Sequence, residues 1–121
     1  MIGIGIDAVE VDRFRQVLAR TPGVARRLFT ESERAYGERK RDPAERLAAR
    51  FAAKEAVMKA LGVGLGAFAF HDVEVIRAPS GQPVLALRGR AEALARQQGV
   101  TGWRLSLTHT HRVAEAVAVA L

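Results

Sequence analysis

The 121-residue sequence contains no cysteine. This excludes disulfides and thiolate metal sites, and leaves Asp, Glu and His as the charged or imidazole metal ligands available. Aromatic residues are scarce, at 6% against 49% hydrophobic residues overall. The core must therefore be built from Ala, Val, Leu and Ile, and small residues favour close backbone approach or subunit packing. No apolar run approaches the ~20 residues that cross a bilayer. The opening MIGIGIDAVEVDR has no leading positive charge and meets acids directly after its apolar run, which predicts no secretory signal and a cytoplasmic protein. Internal repeats, low-complexity tracts and linkers are lacking too. The length fits one domain over residues 1–121, with burial that is thin without help from neighbours.

What the chain has in plenty is positive charge, a formal net of +6 and a pI near 11.0. Such a surface attracts polyanions: nucleic acid, anionic lipid, phosphorylated small molecules or an acidic protein. A nucleic-acid module should present aromatics on a sheet or a basic helix with groove-reading side chains. Here Arg is spread broadly, so neither nucleic acid nor a membrane is the expected partner.

Residues 2–11 alternate apolar side chains with glycines and read as a first strand, followed by a helical pattern from Asp12 to about Arg20. Thr30 and Glu33 match a capping box, with a short charged helix expected to about Arg41. Asp42 as N-cap, Pro43 at the first helical position and Glu45 in the first turn open a long helix that stops at Gly62. Strands are predicted over 71–77, 83–88, 103–110 and 113–121, with a short helix over 91–98. This order predicts an α+β domain, a mostly antiparallel sheet packed against a long buried helix.

On a wheel, the long helix carries Leu47, Phe51, Met58 and Leu61 on one arc and Ala49, Ala52, Ala53, Ala56 and Ala60 on a second face, so most of it is wrapped. Glu55 sits one turn after Phe51 and Lys59 one turn further on. A carboxylate beside a core stripe is costly unless paired or metal-bound. The spacing fits a Glu55–Lys59 helix salt bridge, worth ~0.2–0.5 kcal/mol, but that bridge leaves Lys54, carried into the apolar arc, unexplained. Asp7 ends the first strand on the same face as Gly3 and Gly5, whose missing side chains suggest open space above the backbone. An acid there is a candidate ligand for a hard cation such as Mg²⁺, and equally a simple turn residue. The glycines from Gly62 to Gly66 follow a helix instead of preceding one, so they are no P-loop; they read as a helix stop or as a close approach to a ligand. His109 shares a strand face with Leu105 and Leu107, a place where a lone histidine is more often a satisfied core or rim residue than a catalytic one.

Four segments together are more specific than any residue alone: GIDAVEVDR at the N-terminus, FT-x-x-E at 29–33, RFAAKEAVMKALGVGLG at 50–66 and SLTHTH at 106–111. In order and spacing the chain resembles the holo-[acyl-carrier-protein] synthases, the small bacterial 4'-phosphopantetheinyl transferases. The resemblance implies transfer of phosphopantetheine from coenzyme A to a serine of apo acyl carrier protein, leaving adenosine 3',5'-bisphosphate, as in fatty acid biosynthesis. It implies Asp7 and Glu55 as ligands of Mg²⁺ (or Mn²⁺), with Glu55 and Lys59 as catalytic residues. It makes Arg50, Gly62, Gly64, Ser106, Thr108 and His109 candidates to contact coenzyme A, and assigns no role to His111. It further implies a homotrimer with active sites between subunits, and docking of the acidic carrier protein on Arg13, Arg20, Arg26 and Arg27. A carrier-binding domain without catalysis would not need Asp7, Glu55 and Lys59 together. Transferases specialised for polyketide or peptide synthases carry this fold twice in a longer chain, so the length favours the fatty-acid carrier.

Overall fold

The computed structural model describes residues 1–121. Its order is β1 (Gly3–Glu10), α1 (Val11–Arg20), α2 (Val24–Leu28), α3 (Glu31–Glu38), α4 (Pro43–Ala60), a 3₁₀ turn (Phe70–Asp72), β2 (Val73–Arg77), β3 (Pro83–Leu87), α5 (Gly89–Gln97), β4 (Trp103–His109) and β5 (Val113–Ala120). The α+β expectation holds, with the strands divided between two antiparallel sheets. β5 lies between β1 and β4 in the larger one, and β2 pairs with β3 in the other. Two expectations shift locally. Val24–Leu28 forms a short helix that the Pro22-Gly23 break concealed, and residues 70–72 form a 3₁₀ turn where a strand was predicted to begin.

The capping box at Thr30 and Glu33 is complete in both directions, and Asp42 caps α4 by accepting from the Ala44 N–H. At its far end α4 stops in a Schellman arrangement. Val63 N–H returns to the Met58 carbonyl and Gly62 N–H to that of Lys59, with Gly62 at φ 70°, a conformation a Cβ would strain.

α4 lies on the inner face of the larger sheet and contributes to both apolar clusters. Its seat is built from the smallest residues. Every second residue of β5, Ala114 to Ala120, is buried, and Gly3 and Gly5 pair with Ala120 and Ala118. A Cβ on Gly3 would stand 2.0 Å from the Ala60 carbonyl oxygen, and one on Gly5 would stand 1.9 Å from that of Ala56. The open space expected above these glycines is therefore filled by the helix backbone itself. The glycines create proximity, and that proximity brings Asp7, next on the same face, up to the last turns of α4.

Lys54 is fully buried and donates to Glu33 Oε1 at 2.8 Å, to the Phe70 carbonyl at 3.0 Å and to the Val73 carbonyl at 2.5 Å. Glu33 also accepts from the Thr30 and Val75 N–H groups. All three ammonium protons and both carboxylate oxygens are engaged, which is the condition under which a buried ion pair is tolerated. This pair, which fastens α3, α4 and β2 together, accounts for a lysine in the apolar arc.

Candidate active site

Asp7, Glu55 and Lys59 meet where β1 passes the last turns of α4. Lys59 Nζ donates to Asp7 Oδ1 at 3.0 Å and to the Ile6 carbonyl at 2.9 Å. Its partner is thus Asp7 across the strand–helix junction, and not Glu55 along the helix as the spacing suggested. Burial raises the Glu55 carboxyl above its ordinary value; the charge of Asp7 raises it further, and Lys59 pulls the other way. Two carboxylates whose charges oppose one another, with one cation beside them, form a donor set suited to a hard divalent ion. Such an ion needs only one or two carboxylates if water and phosphate oxygens complete its shell. No third Asp, Glu or His joins them in a cage. Asp7 and Glu55 line an open groove of about 450 Å³, with Arg13, Phe14, Val17 and Phe51 on its other walls.

Arg50, Thr108 and His109 are also brought together, in a second recess of about 350 Å³ with Tyr36, Arg46 and Arg77. The two recesses share no lining residue. Arg50 and Glu55 are five residues apart on α4, hence roughly 140° apart about its axis, so one helix serves two directions. Arg50 is buried, its guanidinium 4.1 Å from the centre of the Tyr36 ring. Burial works against ionisation of Tyr36, but the hydrogen bond from Arg77 and the charges of Arg77, Lys40 and Arg50 outweigh it and lower the phenol. No carboxylate pairs with Arg46, Arg50 or Arg77 in this recess, so it is strongly electropositive and suited to a phosphate group.

The remaining sequence candidates lie elsewhere. Ser106 faces out from β4 beside a shallow 80 Å³ recess with Ile6 and Glu115. Gly62 and Gly64 sit in the open loop after α4, where a methyl group added at either position would find nothing within 4 Å. Arg13 stands at the edge of the carboxylate groove, with Arg20 at the end of α1 and Arg26 and Arg27 in α2. Sequence reasoning missed Tyr36, Arg46 and Arg77. Arg46 lies one turn before Arg50 on α4, a spacing that could have found it, whereas Tyr36 on α3 and Arg77 on β2 join it only in the recess.

Comparison with known proteins decides the family. The chain matches the 4'-phosphopantetheinyl transferase superfamily over residues 3–119. It belongs to this superfamily. A holo-[acyl-carrier-protein] synthase from Frankia alni is 50% identical over 120 residues, covering 99% of this chain and 97% of its relative. Among solved structures, the holo-[acyl-carrier-protein] synthase of Neisseria meningitidis superposes with a TM-score of 0.88 at 30% identity, covering 100% of this chain and 98% of the other. That of Helicobacter pylori, in complex with coenzyme A, gives 0.84 at 28% identity, covering 98% and 99%. The chain thus shares nearly its whole length, and its fold, with these synthases.

Proposed function

We propose that the chain, as one transferase domain over residues 1–121, moves the 4'-phosphopantetheine arm of coenzyme A onto a serine hydroxyl of apo acyl carrier protein. The serine oxygen forms a bond to the β-phosphorus as the bond to the bridging oxygen breaks, and adenosine 3',5'-bisphosphate leaves. The observation that carries this reading is the convergence of Asp7 from β1 with Glu55 and Lys59 from the last turns of α4. Asp7 and Glu55 would hold Mg²⁺, which when bound neutralises charge on the pyrophosphate. Lys59, more than half exposed, can follow the negative charge that develops on the transferred group or the leaving phosphate. Glu55, beside Asp7 in the groove, is the candidate to receive the serine proton. Arg50, Thr108 and His109 in the electropositive recess hold a phosphate of the coenzyme.

Within one chain the carboxylate groove and the basic recess are separate. A homotrimer whose active sites are completed between subunits brings such halves together, and the open face of the larger sheet supports it: Ile4 and Ile6 are 58% and 61% exposed. Arg13, with Arg20, Arg26 and Arg27 nearby, gives the groove a positive margin for an acidic carrier protein, an attraction that weakens with salt. No helix is long and apolar enough to cross a membrane, and a cytoplasmic place beside fatty acid synthesis suits the reading. Intact-mass measurement of apo carrier protein incubated with the chain, coenzyme A and Mg²⁺ tests it. One added phosphopantetheine is expected, and a folded sample that adds none sinks the assignment.

A further inference from the structure

Glu45 and Glu33 occupy the same position in their helices, third after the cap, yet they behave differently. Glu33 closes a capping box. Glu45 leaves the cap of α4 to Asp42 alone and turns toward the β4–β5 turn, where His111 Nδ1 lies 2.7 Å from its Oε1 and His109 Nδ1 lies 3.8 Å from its Oε2. On the other edge of the His109 ring, Arg46 donates to Nε2 at 2.8 Å. A guanidinium has only donors, so Nε2 must accept and the ring proton must sit on Nδ1. That Nδ1 is buried and has no hydrogen-bond partner. The carboxylate that could serve it is Glu45, itself only 16% exposed and tethered by the fully solvated His111.

We infer that Glu45 is a positioning residue: with Arg46 it fixes His109 as the Nδ1-protonated tautomer and holds its ring in the wall of the basic recess, with His111 as the outer tether of the carboxylate. This rests on the reading of that recess as the coenzyme A phosphate site, and it names what aims His109 there. Without that carboxylate beside it, the buried Nδ1 proton has no counter-charge, and the ring is free to leave Arg46 and change tautomer or orientation, as outer carboxylates govern ligand histidines generally.

The experiment uses the full-length protein. Long-range proton–nitrogen correlations of the histidine rings, recorded without coenzyme, should show His109 protonated on Nδ1 in the wild type and in Glu45→Gln, which keeps an acceptor oxygen. In Glu45→Ala that signature should be lost. In transfer assays Glu45→Ala should raise KM for coenzyme A roughly three- to tenfold with kcat within about twofold, and Glu45→Gln should restore most of the loss. His109 protonated on Nε2 in the wild type overturns the inference. So does a Glu45→Ala variant with unchanged tautomer and KM. If instead His109→Ala leaves KM for coenzyme A unaltered, the phosphate-site reading fails, while the ring signature still decides whether Glu45 sets the tautomer.

Discussion

Replacing Gly5 with Ala adds one methyl group where β1 touches the backbone of α4. Built on the observed backbone, that carbon falls 1.9 Å from the Ala56 carbonyl oxygen and 2.7 Å from the Ala60 nitrogen, against about 3.5 Å for an ordinary contact. Neither obstacle is a side chain that can rotate away. The helix must lift by about 1.5 Å to reach an ordinary contact, or β1 must give up pairing with β5. Overpacking of this kind costs about 1–3 kcal/mol, and an obstacle made of backbone places this case at the upper end. Activity should suffer more than stability. The lift separates Lys59 from Asp7, now 3.0 Å apart, and a displacement of about 1 Å in a reacting constellation costs on the order of 100-fold. Urea unfolding at fixed protomer concentration should show a lower midpoint with an unchanged slope, and kcat/KM should fall about 100-fold in the folded variant. Gly64→Ala is the control, since nothing lies within 4 Å of its added methyl; its stability should match the wild type. A Gly5→Ala protein within about 0.5 kcal/mol of wild type and within about threefold in activity would refute the backbone contact and the account of how Asp7 reaches the helix.

Asp7→Ala and Glu55→Gln should each lower transfer by about 100-fold or more while the protein stays folded. Because burial and Asp7 both disfavour the Glu55 charge, thermal melts in chelator should find Glu55→Gln no less stable than wild type; a marked loss would contradict that electrostatic account. Lys54→Met strands the Glu33 carboxylate and two carbonyls in the interior and should cost about 3–5 kcal/mol in denaturant titrations. Burial works to raise Glu74, but hydrogen bonds from Thr30 at 2.5 Å and Arg88 at 2.7 Å prevail and hold it below its ordinary 4.5. Its contribution to stability is therefore complete above pH 4.5 and lost as pH falls through the lower folded value. Arg88→Met, which removes one of these donors and no helix cap, should shift acid unfolding to higher pH, read by circular dichroism, whereas an unmoved acid midpoint would count against this balance.

Much of this was legible before the fold was known, for a physical reason. Caps, helix stops and the alternation of β1 are local, and Thr30, Asp42 and Gly62 act through neighbours within a few residues. Asp7, Glu55 and Lys59 could be singled out, but their pairing could not. The helix repeat favours Glu55–Lys59, and only the approach of β1, allowed by glycines read as empty space, gives Lys59 to Asp7. Lys54 stood out as misplaced, while its partners come from α3, the 3₁₀ turn and β2. The basic recess was half visible, in Arg50, Thr108 and His109; Arg46 stands one turn before Arg50 on α4 and was legible from that spacing, whereas Tyr36 and Arg77 enter through tertiary packing alone.

The run of buried alanines in β5 acts as a gauge for alignment. Its other face carries Glu115, Val117 and Val119, and a slip of one residue would turn these toward α4 in place of Ala114 to Ala120. Each then brings bulk or charge to a junction that admits neither, so misaligned pairing is rejected by size without any side chain having to recognise it. Alanine also has no rotamers to surrender on burial. The strand that carries the active-site scaffold is thus held to one register by what its inner face omits.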